Sequence, residues 1–160
     1  MRDSKDIMNL PVVVLDGGLE VGKVRDLLFE PGKHQLYGLV IDGKGDRPRM
    51  LLRRERISSI GEDAVTITNL SEVGLLESDQ TAQSLQKTGG HLAGMSVLTE
   101  GGDLVGKIDK VTLRDDGTVA SYHTSSGLLG LGGHTDIRPE QVVTAGTDAI
   151  IIPGKAKITD

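Results

Sequence analysis

The sequence predicts a mainly β protein made of two small antiparallel barrels in tandem, joined by a linker with a short helix. Three observations carry that prediction. "LEVGKVRDLLFE" (19–30) is echoed by "DLVGKIDKVTLR" (103–114), so one unit is written twice. Apolar residues within each copy recur with period 2, the spacing of a strand. Turn signals rich in Gly and Asp punctuate both copies at matching places.

The first unit is expected over 7–70. Val21, Leu27 and Phe29 project to one side of its long strand, interrupted at Gly22-Lys23, where a Gly inside a strand suggests a bulge or tight bend. The turns "DGG" (16–18), "EPGKH" (30–34) and "GED" (61–63) bound its strands. A linker follows over 71–93, in which Ser78 is placed to cap a helix over about 79–87 that Gly89-Gly90 ends. Its Leu75, Leu76 and Leu85 are available to dock on a barrel. The second unit is expected over 94–155. At an offset of 84, Val14 pairs with Leu98, Lys23 with Lys107, Val24 with Ile108, Leu27 with Val111 and Phe29 with Leu113. One residue later the match resumes, "RISSIGEDAVTI" from Arg56 against "QVVTAGTDAIII" from Gln141. Closing a short sheet demands strong local curvature, which accounts for the repeated glycines.

These residues resemble the PRC-barrel family, the domain shared by the cytoplasmic part of the photosynthetic reaction centre H subunit and the C-terminal part of the ribosome maturation factor. The likeness rests on "VGKVRDLLFEPGKHQLYGLVI" and "RERISSIGEDAVTI", and in the second copy on "VGKIDKVTLRDDGTVASYHTSSGLLG" and "DIRPEQVVTAGTDAIII". The resemblance implies tandem PRC-type barrels and a role in holding partners rather than in catalysis. A protein partner is therefore expected, with association with RNA or the ribosome as the alternative.

Composition narrows the chemistry. Aromatics make up 2% of the chain, one Phe, two Tyr and no Trp, so platforms for stacking bases are scarce. Cysteine is absent, which removes disulfides and thiolate-ligated zinc. Residues 1–70 carry 11 basic and 11 acidic side chains, residues 71–160 carry 7 and 12, so the net charge of −5 falls wholly on the second part. No apolar run approaches the ~18–20 residues that span a bilayer, so no membrane insertion is expected and a cytoplasmic location is. Small barrels with open edges are also compatible with a homodimer.

Two stretches stand out as partner-binding candidates. In "KGDRPRMLLRRER", Lys44, Arg47, Arg49, Arg53, Arg54 and Arg56 gather with only Asp46 and Glu55 between them. Such a run suits gripping phosphates or an acidic surface, and equally suits the solvated face of an edge strand. In "SSGLLGLGGHTD", Leu128, Leu129 and Leu131 form either a docking tip or the closing of one barrel end. That glycine-rich stretch lacks the spacing and lysine of a phosphate loop. His34, His91, His123 and His134 show no metal-ligand spacing, so neither metal nor cofactor is expected. His123 lies near Ser125 and Ser126, but no third residue to orient it is evident and no catalytic residue is assigned. Asp115 and Asp116 read as turn residues ahead of Gly117.

Overall fold

The computed structural model describes residues 1–30, 32–87, 92–125, 134–146 and 148–154. A two-residue strand β1 (Arg2–Asp3) and a single helical turn α1 (Ser4–Ile7) precede the first sheet. That sheet contains β2 (Pro11–Val14), β3 (Glu20–Glu30), β4 (Gln35–Gly43), β5 (Met50–Arg53), β6 (Ser59–Ile60), β7 (Val65–Ile67) and β8 (Gly74–Leu75). After helix α2 (Gln80–Lys87) come β9 (Ser96–Thr99), β10 (Leu104–Leu113), β11 (Val119–Ser125), β12 (His134–Ile137), β13 (Thr144–Ala145) and β14 (Ala149–Ile152).

The first sheet runs β6-β7-β2-β3-β4-β5-β8 and the second β13-β14-β9-β10-β11-β12, the same order of corresponding strands. Two expectations need correction. Both sheets are open paths rather than closed barrels, and β2 pairs with β7, as β9 does with β14, in parallel. The bulge expected at the strand glycines is seen as breaks in register between Val12 and Val13, where β2 faces Gly22, and between Leu104 and Gly106. Gly22 has a further reason for lacking a side chain: a Cβ there would stand 2.1 Å from the Asp42 carbonyl oxygen.

The inner faces of the two sheets meet in one buried cluster that takes in Val24, Leu27, Phe29, Leu36 and Leu39 from the first half and Ile108, Val111, Leu113, Tyr122 and Ile137 from the second. A half of some 65 residues has little interior of its own, and sharing a core is the economical remedy. Backbone bonds sew the seam at the hairpin tips, with Leu36 N–H donating to the Gly117 carbonyl and Val119 N–H to that of His34, both at 2.8 Å. The N-terminal tip also crosses over. β1 pairs antiparallel with the end of β10, Arg2 opposite Leu113, and Ser4 Oγ accepts from Val111 N–H at 3.0 Å.

Helix α2 covers the outer face of the first sheet, not a free linker path. Its cap is Asp79 rather than Ser78, which sits in a preceding 3-10 turn; the Asp79 carboxylate accepts from Ala82 N–H at 2.9 Å. A carboxylate serves well there because it meets both the unpaired N–H groups and the positive end of the helix dipole. Leu76, Ala82 and Leu85 bury themselves against Leu28, Tyr37, Val40 and Leu51. Leu75 stays exposed.

Candidate functional site

The arginine run does not act as one surface. Its second part is consumed in internal contacts. Arg53 stacks its guanidinium 4.3 Å above the Tyr37 ring and approaches Glu55 (3.3 Å) and Asp79 (3.7 Å). Asp79 also accepts from the Tyr37 hydroxyl at 2.9 Å, so this one carboxylate caps α2 and pins it to the sheet. Burial first, and that hydrogen bond second, raise the Tyr37 phenol above its ordinary value. Arg54 lies over Gly117 and donates to the Asp116 carbonyl (3.3 Å), bridging the halves, while Arg56 pairs with Glu72 at 2.9 Å and ties down the start of the linker. At Gly117, with φ of +86°, a Cβ would come 2.7 Å from the Arg54 side chain.

The first part of the run is different. Arg49 Nε donates to Asp42 Oδ1 at 3.0 Å, and Arg25 from β3 approaches the other oxygen of the same carboxylate at 3.9 Å. Lys44 and Arg47, on the loop between β4 and β5, are exposed and form no ion pair among the described residues. A shallow groove of about 270 Å³ opens beside them, lined by Lys23, Arg25, Asp42 and Lys44 together with Asn9 and Glu20. Five cations, Lys23, Arg25, Lys44, Arg47 and Arg49, thus lie around three carboxylates, Glu20, Asp42 and Asp46. The sequence reading missed Lys23 and Arg25 as members. The signal lay in "KVR", where period 2 sets both side chains on the face opposite buried Val24.

Three other predicted positions acquire definite surroundings. His34 is no plain surface residue: it adopts φ of +53° at the seam, with Nδ1 2.6 Å from the Tyr122 hydroxyl. Burial lowers its pKa below the ordinary histidine value, against a smaller opposing pull from Glu140, and burial raises the Tyr122 phenol. Asp116 accepts from Thr118 N–H (2.9 Å) and hydroxyl (2.6 Å), which hold its carboxyl below the usual range and close the turn.

His123 does have an orienting partner, on another strand. Asp136 Oδ1 sits 2.6 Å from Nδ1, and Thr112 Oγ1 2.6 Å from Nε2, with Ser121 Oγ at 3.2 Å. Since a carboxylate only accepts, Nδ1 carries a proton, and Nε2 faces two hydroxyls, each able to donate or accept. This is the order of groups in which a base is oriented toward a hydroxyl. It lies on the outer face of the second sheet and does not involve Ser125, while Ser126 lies outside the described residues. Leu128, Leu129, Leu131 and His91 lie outside the described residues.

Among the described residues no helix is long and apolar enough to cross a membrane, and no three metal-ligating side chains of His, Asp or Glu gather. A search of curated proteins finds no match. The span from the N-terminal tip through the first residue of β8, holding the groove and its cations, is recognisable: residues 1–74 match the PRC-barrel domain.

Proposed function

We propose that the chain is a non-enzymatic protein-interaction module made of two copies of the PRC-barrel unit, docking an acidic protein surface on the cation patch of its first half. The observation that carries this reading is the patch itself: Lys23, Arg25, Lys44, Arg47 and Arg49 on three adjoining segments, with Asp42 between Arg25 and Arg49. Guanidinium groups held by a carboxylate are presented in a set geometry to an incoming carboxylate. The second copy rests on the repeated sequence and on the shared strand order. The two copies differ here, because at the offset of 84 Arg25 is answered by Asp109.

RNA is the second reading, on the same cations. Against it, all three aromatic residues, Phe29, Tyr37 and Tyr122, are buried, which leaves no ring for stacking bases. Affinity purification of the full chain from its own cells, with and without nuclease, decides between the two. A nuclease-resistant protein partner that is lost on Lys44→Glu/Arg47→Glu substitution supports the module. Release by nuclease, with a log-log salt slope near −0.7 per neutralised phosphate, moves the patch to RNA.

A further inference from the structure

Gly follows Asp at three places in the chain: Asp16-Gly17, Asp42-Gly43 and Asp116-Gly117. Such a bond carries a reactivity of its own. With no side chain on the second residue, its backbone nitrogen can reach the Asp carboxyl carbon and close a five-membered imide. A fold suppresses this where hydrogen bonds hold the carboxylate away from the nitrogen, or where the backbone is fixed in a sheet or a buried turn.

Two of the three bonds are held in that way. Asp42 lies in β4, where its carboxylate accepts from Arg49 Nε at 3.0 Å and is approached by Arg25 at 3.9 Å, and Gly43 is paired with Gly22. Asp116 accepts from the Thr118 N–H and hydroxyl, and buried Gly117 gives its own N–H to the Arg114 carbonyl at 2.9 Å. Asp16-Gly17 differs on both counts. It stands at the tip of the hairpin between β2 and β3, and Asp16, Gly17 and Gly18 are all exposed. Neither the Asp16 carboxylate nor the Gly17 N–H has a hydrogen-bond partner among the described residues. Gly17 adopts φ of +100°, and a Cβ there would meet nothing within 4 Å, so the space beside the bond is open. The turn is anchored only on either side of it, by Asp16 N–H to the Thr68 carbonyl at 3.2 Å and Gly18 N–H to the Val14 carbonyl at 2.9 Å.

We propose that Asp16-Gly17 is a site of spontaneous isoaspartate formation in the folded chain, and that Asp42-Gly43 and Asp116-Gly117 are protected from it. Gly17 N attacks Cγ of the Asp16 carboxylic acid. The new C–N bond forms, the C–OH bond breaks, and the amide proton leaves with the hydroxyl as water. Water then opens the imide. Cleavage of the bond from Gly17 N to Cγ restores Asp16, while cleavage of the bond to the original backbone carbonyl carbon leaves the chain running through Cβ and Cγ, with the α-carboxylate as the branch. The charge is regained and the main chain is longer by one methylene, at a tip that leads through Leu19 to Glu20 in the wall of the cation groove. The modification does not depend on what that groove docks.

The test incubates the full chain in parallel folded and unfolded in guanidinium chloride, until the unfolded sample shows clear conversion. Isoaspartate is then located by electron-transfer fragmentation of peptides covering each of the three bonds. In the unfolded chain all three should isomerise, because local protection is gone. In the folded chain, isoaspartate at 16 should exceed that at 42 and at 116 by at least about tenfold, since reaction there first requires hydrogen bonds to break. Absence of isoaspartate at 16 in the folded chain, or folded levels at 42 or 116 equal to it, would overturn the proposal.

Discussion

The outer faces of the two sheets have the same framework and opposite chemistry. In the first sheet Leu27, Leu39 and Leu52 lie opposite one another in the core, as Val111, Tyr122 and Ile137 do in the second. Stepping to the outer face from each, Leu28, Val40 and Leu51 correspond to Thr112, His123 and Asp136. The first trio is buried under α2, while the second is a hydrogen-bonded chain ending on Asp136, whose side chain is 64% exposed. One β framework therefore accepts either an apolar face with a helix laid over it or a polar face that satisfies itself. What the chain does with each face is set by three side chains and by the segment after β7.

The comparison predicts unequal responses. Leu28→Ala opens a cavity beneath α2 and should cost about 2–5 kcal/mol, read as a shift in the urea midpoint. Thr112→Ala, its counterpart, should cost less than about 1.5 kcal/mol, the net worth of one partly buried hydrogen bond. Equal losses would mean that α2 contributes little. Asp79→Ala removes the cap of α2 together with its tether to Tyr37, for about 2 kcal/mol, and amide exchange along Gln80–Lys87 should quicken. Asp136→Asn should change stability by no more than about 1 kcal/mol, because the carboxylate is mostly in water.

The seam gives a prediction in pH. His34 has its folded pKa below the ordinary 6.5 because burial favours the neutral ring. In the unfolded chain it takes up a proton first, so stability is full above that value and declines as the pH falls below it toward the folded pKa. His34→Asn tolerates the positive φ and does not titrate. Denaturation midpoints measured from neutral pH into the acid range should therefore fall less steeply in the variant. An unchanged slope would remove the seam histidine from the account.

The strands, their turns and the duplicated pattern were legible because each is local: period 2, a Gly where backbones close, an Asp-Asp-Gly turn. The helix in the linker was legible for the same reason, with its cap misplaced by one residue between Ser78 and Asp79. The shared core was not, since alternation marks which face is buried and says nothing of what covers it. Parallel pairing of β2 with β7 leaves the same alternation as antiparallel pairing. Arg2 and Asp3 carry no pattern that would announce a strand added to β10. The arginine run divided as it did because its partners, Asp42, Glu72, Asp79 and Asp116, come from elsewhere in the sequence, and Lys23 and Arg25 reach the patch only through the pairing of β3 with β4.

That division is the centre of the account, and one measurement tests it directly. Two full-length variants, Lys23→Glu/Lys44→Glu/Arg47→Glu and Arg54→Ser/Arg56→Ser, are compared with the unaltered chain for capture of the proposed nuclease-resistant protein partner across a series of salt concentrations. The account predicts that the first variant loses the partner at every salt concentration while the second retains it with the salt dependence of the unaltered chain. Retention by the first variant, or equal loss by both folded variants, would contradict it.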